Sequence, residues 1–202
     1  MVDETLQGEN TGIQEPQAKP RSTVKSFLIE LFQVLLLAAI LYFAIDAVVA
    51  RVRVENISME PTLMPGEFLL VNRLAYRMGP IQRGDVVIFH YPLNPKEDFI
   101  KRAIGLPGDT VRVENGNVYV NDSKLTEPYI AAPPDYTGSW EVPEGGIFVL
   151  GDNRNRSLDS HAWGFVPLDF ILGKALVIYW PFDQMNVIGH PDLTGVSSTA
   201  TP

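Results

Sequence analysis

Residues 27–50, FLIELFQVLLLAAILYFAIDAVVA, form the apolar segment that most restricts how this chain can fold. Its clearly polar members are Glu30, Gln33 and Asp46, and the two carboxylates lie near opposite ends. An α-helix of this length rises about 36 Å, whereas the hydrocarbon core of a bilayer is about 30 Å thick. A carboxylate near a helix end can reach the membrane interface at modest cost. The segment therefore predicts a single transmembrane anchor.

A cleavable signal peptide is the alternative for the same segment. A lysine-bearing flank precedes it, and AVVA at 47–50 has small residues in the spacing of a cleavage site. The apolar run is longer than the roughly 7–15 residues of a signal peptide's apolar region, and a long polar leader precedes it. These lengths favour a permanent anchor.

The cations that flank the segment bear on its orientation. Lys19, Arg21 and Lys25 precede it, whereas Arg51 and Arg53 follow it. Because positive charge is retained on the cytoplasmic side, this small excess predicts a cytoplasmic N-terminus. The remainder of the chain is then extracytoplasmic, in the periplasm or in the lumen of an internal membrane system.

Composition divides the rest of the chain into three parts. Residues 1–26 are polar and lack apolar periodicity, which predicts a disordered leader, and residues 189–202 predict a flexible tail for the same reason. In residues 51–188, glycine and proline separate short stretches that are rich in Val, Ile, Phe and Tyr. We predict a mainly β domain of mixed, complex β architecture after a single N-terminal transmembrane helix.

The stretch VRVENGNVYV, residues 111–120, is the clearest predicted strand pair. A two-residue Asn-Gly turn at its centre joins two antiparallel strands. The predicted cross-strand pairs are Val113 with Val118 and Val111 with Val120, so the four valines share one face. Further strands are predicted at EFLLVNRL, GDVVIFHY, GGIFVLGD and KALVIYW.

Charge and cysteine content exclude several classes of function. Asp and Glu outnumber Lys and Arg by 24 to 16, which gives a net charge of −8 and argues against a nucleic-acid partner. The chain has no cysteine, so disulfides, thiolate metal sites and a cysteine nucleophile are excluded.

The stretch FIKRAIG, residues 99–105, places two adjacent cations in an otherwise apolar strand. Alternation along a strand puts Lys101 on the face of Phe99 and Arg102 on the opposite face. A lysine among apolar groups has its pKa lowered, because desolvation penalises the charged form, and a neutral lysine is a base. The alternative is a lysine whose amine reaches water past its neighbours. Arg102 keeps its proton, and we expect it to pair or reach solvent.

Ser58 is the candidate partner of such a base. It lies in NISMEPTLMPGE, where a strand gives way to a turn that two prolines constrain. A serine hydroxyl becomes a nucleophile when a base takes its proton. Lys101 can do this in a Ser-Lys pair, and a Ser-His-Asp triad is the alternative. Its members would come from His90, His161 and His190 and from Asp152 and Asp159. A serine that hydrogen-bonds its own turn is the non-catalytic alternative.

The chain resembles bacterial type I signal peptidases in the order and the residues of four sequence blocks. These blocks are SMEPTLMPGEFLLVNR, RGDVVIF, FIKRAIGLPGD and GDNRNRSLDSHAWGFVP. The resemblance runs from the apolar span to about residue 183. It implies a membrane-anchored, mostly β catalytic domain that removes signal peptides by a Ser-Lys mechanism, without a metal or cofactor. Its implied partners are precursor proteins with signal peptides and the lipid bilayer, and the enzyme is expected to be monomeric.

Carried over by position, the resemblance makes Ser58 the nucleophile and Lys101 the general base. Ser157 falls where a serine hydrogen-bonds the lysine, Asp159 at a structurally important acid, and Asp152 at the partner of that acid. The backbone N–H of Ser58 would form half of the oxyanion hole.

The chain departs from the family pattern at two positions. Asn56 stands where serine or glycine is common two residues before the nucleophile, and its amide can donate to an oxyanion. His161 stands where arginine is usual in DSR. A histidine carries the charge of that arginine only when protonated, so we expect its support of Asp159 to depend on pH.

Substrate specificity is also implied by the family. A substrate bound as a strand places positions −1 and −3 on one face, where pockets that accept only small groups would select Ala-x-Ala. The residues assigned to these pockets are Val54, Met59, Leu63, Phe99 and Ile100. The non-enzymatic alternative is a membrane-tethered β-domain that binds a partner, against which the intact Ser58 and Lys101 argue.

Overall fold

The computed structural model describes residues 24–191 and residue 193. Most of the predicted leader and much of the predicted tail lie outside these residues. Residues 24–26, which fall in the predicted leader, already belong to the first helix.

The first helix, α1, runs from Val24 to Val48 and ends where the chain enters a strand. Its mean hydropathy over an 18-residue window is 2.4, and by length and composition it can cross a membrane. Its side chains are mostly exposed to the surroundings of the protein, and a helix that is apolar on all sides is typical of a membrane span when no protein core covers it.

The domain that follows is built from twelve short strands and two short helices in the described residues. The strands are β1 (Val49–Arg53), β2 (Phe68–Asn72), β3 (Val86–Tyr91), β4 (Asn94–Gly105), β5 (Thr110–Glu114), β6 (Asn117–Val120), β7 (Ser123–Lys124), β8 (Gly138–Glu141), β9 (Gly146–Leu150), β10 (Val166–Pro167), β11 (Ile171–Trp180) and β12 (Asn186–Val187). The helices are α2 (Ala75–Met78) and α3 (Ser160–Trp163), and four single 3₁₀ turns lie at Ile57–Met59, Arg154–Arg156, Leu168–Phe170 and Phe182–Gln184.

The strands form two antiparallel sheets in the described residues. The larger sheet has the order β1-β2-β11-β3-β4-β9-β10, with β12 paired to β11, and the smaller has the order β7-β6-β5-β8. The predicted mainly β class is confirmed. The order could not be read from the sequence because β2 pairs with β11, about a hundred residues away along the chain.

The hairpin of β5 and β6 shows how the hydrophobic pattern sets the register. Val111 pairs with Val120 and Val113 with Val118, as the Asn-Gly turn predicts. All four valines are buried and pack with Phe148 of β9 in a core that joins the two sheets. A shift of one residue would turn this apolar face outward, so the register is strongly specified.

The end of the chain corrects one prediction. Leu193, which falls in the predicted flexible tail, is buried in the same core as the β5–β6 valines. A Cβ on Gly84 would lie 3.1 Å from Pro191 and 3.3 Å from Leu193, so this segment packs closely on the domain. The packed part of the chain therefore extends past residue 188.

The shared core predicts a large and local stability effect. Phe148 is 0% exposed, whereas Phe182 is 71% exposed. We expect Phe148→Ala to lower the free energy of unfolding by about 3–5 kcal/mol, because it leaves a cavity at the junction of the sheets. Phe182→Ala is the matched control and should change it by less than about 0.5 kcal/mol. Equal effects in chemical unfolding of the two variants would contradict the assignment of this core.

Candidate active site

Ser58 lies in the 3₁₀ turn Ile57–Met59, between β1 and β2. Its side chain is buried, and the adjacent Met59 packs into the core cluster of the larger sheet. The turn thus presents a hydroxyl from a fixed backbone position, as the constrained sequence around it predicts.

Lys101 reaches Ser58 from β4. Its Nζ donates to Ser58 Oγ at 2.8 Å and to the carbonyl oxygen of Ile100 at 3.0 Å. The side chain is 4% exposed, and burial lowers the pKa of the Lys101 amine from 10.5 to about 8, although Asp159 and Asp152 act in the opposite direction. The lysine is therefore desolvated rather than extended to water, and its neutral form is available near neutral pH.

Arg102, the next residue on β4, is buried and fully paired on the opposite face. Its Nε and Nη2 donate to the two carboxylate oxygens of Asp152 at 2.8 and 2.6 Å, and its Nη1 donates to the carbonyl of Gly84 at 2.8 Å. The implied pairing of Asp152 with Asp159 is corrected, since Asp152 binds Arg102 and also accepts a hydrogen bond from Thr62. Its role is to tie the turn after β9 to β4.

The turn after β9 contacts the backbone of the Ser58 turn. Asn153 N donates to Ser58 O at 3.0 Å, and Asn153 Nδ2 donates to Ile57 O at 3.1 Å. A Cβ on Gly151 would lie 2.4 Å from Ser58 O and 2.2 Å from Ser157 Oγ, so only glycine fits there. Asn153 and Gly151 were not among the predicted site residues, although both belong to the motif Gly151-Asp152-Asn153, whose pattern could have indicated them.

Ser157 lies beside Gly151 with its hydroxyl buried. Within the described residues its Oγ has no hydrogen-bond partner, so the implied hydrogen bond to Lys101 is not formed in this conformation. Lys101 uses the Ile100 carbonyl instead.

Asp159 supports the same turn from its other side. It caps α3, accepts a hydrogen bond from Gly151 N at 2.9 Å, and lies 2.7 Å from Nδ1 of His161. The imidazole stacks on Tyr136, with ring centroids 4.1 Å apart. Because a neutral imidazole with its proton on Nδ1 can also donate to Asp159, this contact does not require the charge of the arginine usual here. The expected pH dependence of this support therefore does not follow from the geometry.

A groove of about 440 Å³ opens beside the Ser58–Lys101 pair. Four of the five residues predicted to form the specificity pockets line it, together with Asn56. These four are Val54, Met59, Phe99 and Ile100. Leu63 is the exception, because it is fully buried in the core beneath Met59 and contributes packing instead.

The three histidines contact carboxylates and not the Ser58 hydroxyl within the described residues. Each lies beside a carboxylate: His90 with Asp98, His161 with Asp159, and His190 with Asp85. In the described part of the chain, the side chain that hydrogen-bonds Ser58 Oγ is Lys101, and no cluster of three or more His, Asp or Glu residues is placed to hold a metal ion. The arrangement can supply a serine nucleophile and a lysine base.

Comparison with known proteins agrees with this chemistry. The family described as "Signal peptidase, peptidase S26" matches residues 27–180. The chain belongs to this family. As a member of the S26 peptidases, it is a serine-type hydrolase.

Three relatives of the S26 family show how far the similarity extends. A probable signal peptidase I-2 of Synechocystis sp. is 43% identical, covering 87% of this chain and 84% of the relative. Signal peptidase I of Leptolyngbya laminosa is 42% identical, covering 88% and 94%. Signal peptidase I of Bacillus caldolyticus is 46% identical over 65% of this chain and 79% of its own.

Burial of Lys101 predicts a stability cost. A pKa lowered from 10.5 to about 8 corresponds to roughly 3 kcal/mol of native-state destabilisation at pH 7. Between these values the unfolded chain binds more protons than the folded one, so wild-type stability rises with pH. We expect Lys101→Met to raise the free energy of unfolding at pH 7 by about 1–3 kcal/mol, and this gain to shrink towards pH 10.5.

The exposed Lys96 provides the matched control. Lys96→Met should leave the unfolding free energy nearly unchanged at both pH 7 and pH 10. The measurement is urea unfolding of the detergent-solubilised protein. A Lys101→Met variant that is less stable than wild type at pH 7 would show that the lysine is not a desolvated charge.

Proposed function

We propose that this chain is a membrane-anchored serine endopeptidase that removes N-terminal signal peptides from exported precursor proteins. The family removes signal peptides, and its relatives are named signal peptidase I. The observation that carries the proposal is the 2.8 Å contact between a desolvated Lys101 amine and the Ser58 hydroxyl at the edge of an open groove.

Ser58 and Lys101 divide the chemistry between them. Ser58 Oγ attacks the scissile carbonyl while the neutral Lys101 amine takes its proton, and the same amine then delivers the proton to the leaving amino group. Water hydrolyses the resulting ester to free Ser58. Arginine could not replace Lys101, because a guanidinium keeps its proton throughout the usable pH range.

The negative charge of the tetrahedral intermediate needs donors near Ser58. We assign this role to the backbone N–H of Ser58 and to the side-chain amide of Asn56, which lines the same groove. Ser157, buried behind Gly151, is assigned the role of orienting the lysine amine once substrate fills the groove.

Specificity would follow from the size of the groove beside Ser58. A substrate strand projects its −1 and −3 side chains to the same face. Buried Val54 and Met59 and half-buried Phe99 and Ile100 restrict that face to small side chains, which favours cleavage after Ala-x-Ala.

A membrane anchor next to the catalytic domain would keep the groove beside Ser58 close to membrane-bound substrates. One N-terminal apolar helix and the relatives fit a single-pass membrane protein. Ser58 follows the helix end by ten residues, which span at most about 36 Å when extended. A precursor that is still held in the bilayer by its own apolar segment would therefore meet Ser58. We propose a cytoplasmic N-terminus and an extracytoplasmic catalytic domain.

Replacement of the two reacting groups tests the mechanism. We expect Ser58→Ala, Lys101→Met and Lys101→Arg each to lower cleavage of a purified precursor by at least about 1000-fold, because each removes the nucleophile or the base. The readout is the initial rate of cleavage, with the cut mapped by mass spectrometry to the residue after Ala-x-Ala.

Two controls accompany this test. Lys96→Met changes an exposed lysine and should retain full activity, and alanine at His90 and His190 should also leave activity in place. If Lys101→Met stayed active while one of these histidine variants lost activity, the Ser-Lys assignment would be wrong. A wild-type protein that binds precursors without cutting them would favour the binding-domain alternative.

Protease protection tests the orientation. In sealed inverted vesicles the cytoplasmic side faces out, so added protease should trim the leader and spare residues 51–202. Solubilisation with detergent should then expose the whole domain. Digestion of the C-terminal domain in sealed vesicles would reverse the orientation. Recovery of a mature form that begins at Arg51 would instead indicate a cleaved signal peptide.

A further inference from the structure

A second groove of about 610 Å³ continues from the groove beside Ser58. The two share Val52, Ile88 and Asp98 in their walls, so they are contiguous. The second groove extends along β1 in the direction away from Ser58, towards Ala50 and Arg51.

Three arginines distinguish the second groove: Arg51, Arg73 and Arg77. Arg51 makes one long ion pair, 3.6 Å, with Asp46. Within the described residues, the exposed side chains of Arg73 and Arg77 make no ion pair or hydrogen bond. Their donors are therefore available to a ligand.

Two carboxylates also line the second groove, and they limit its positive charge. Asp98 stands at the junction of the two grooves and lies 2.8 Å from Nδ1 of His90. Asp169 lies in the wall of the second groove. Asp46 offsets Arg51, so within the described residues Arg73 and Arg77 are the cations of this groove that have no acidic partner.

The arginines lie close to the end of the membrane helix. Arg73 N donates to the carbonyl of Val48, the last residue of α1, at 2.9 Å, and Arg51 follows Val48 by three residues. The second groove therefore lies near the point where the chain leaves α1 and enters β1.

We propose that the second groove is a substrate subsite that binds precursor residues at about positions −5 to −7 and favours carboxylate side chains there. This inference rests on the proposed function. If positions −1 and −3 fill the groove near Val54, three more extended residues span about 10 Å and reach the level of Arg51. Arg73 and Arg77 then donate to acidic side chains of the substrate.

A charge-reversal experiment tests the subsite. Two soluble peptides share one Ala-x-Ala site and carry either Glu or Lys at positions −5 and −6. They are cleaved in neutral detergent, without lipid, by wild type, by Arg73→Glu/Arg77→Glu and by the control Lys96→Glu/Lys124→Glu, which changes net charge equally. Lys96 and Lys124 are exposed and line neither groove.

We expect wild type and the control to cleave the Glu peptide with a kcat/KM about 3–10-fold above that of the Lys peptide at low salt. The Arg73→Glu/Arg77→Glu variant should invert this preference, and 0.5 M NaCl should weaken it in every protein. An unchanged peptide preference in that variant would overturn the subsite.

Two further outcomes distinguish the substrate subsite from binding of lipid headgroups and from failure of the proposed function. If Arg73→Glu/Arg77→Glu lowers cleavage of both peptides equally, and only in vesicles that contain anionic lipid, the arginines bind headgroups and the subsite is wrong. If wild type cleaves neither peptide, the proposed function fails. The subsite is then tested by fluorescence anisotropy, where preferential binding of the Glu peptide to Ser58→Ala supports it and equal binding contradicts it.

Discussion

Two adjacent cations on β4 meet opposite environments, and the candidate active site depends on this contrast. Within the residues that the structure describes, Lys101 is desolvated without an ion pair and has its pKa lowered to about 8, whereas Arg102 is buried but bound by both oxygens of Asp152. Strand alternation places them on opposite faces of one rigid element. Loss of one partner from a buried ion pair such as Arg102–Asp152 costs about 3–5 kcal/mol. Because Lys101 is the next residue on the same strand, this ion pair also fixes the position of the Lys101 backbone.

The turn after β9, residues 151–153, connects β4 to the backbone of Ser58 and restricts the position of this serine. Asp152 holds the turn to β4, Asp159 binds its Gly151 N–H, and Asn153 binds the carbonyl of Ser58. Each of these groups is buried or bonded to backbone, so few rotamers remain free. Ser58 and Lys101, which are 43 residues apart, are thereby held at hydrogen-bond distance before substrate arrives.

The parts of this account that rest on local pattern were predictable from the sequence, and those that rest on distant contacts were not. The β5–β6 register follows from an Asn-Gly turn between alternating valines. Alternation along β4 separated Lys101 from Arg102, whereas the choice between a desolvated and a water-exposed amine depended on contacts from other strands. Asp152 was assigned the wrong partner because Arg102 lies 50 residues away. Leu63 was assigned to the groove because hydrophobicity alone does not distinguish a pocket wall from the core beneath it.

A direct titration of Lys101 tests the central claim, that burial keeps this amine neutral enough to act as a base. The measurement is the ¹³Cε chemical shift of Lys101 against pH in the detergent-solubilised protein, assigned by its absence from Lys101→Met. The account predicts a midpoint near pH 8, well below the ordinary lysine value. A midpoint near the ordinary lysine value of about 10.4 would show that Lys101 is solvated, and would contradict its role as the base.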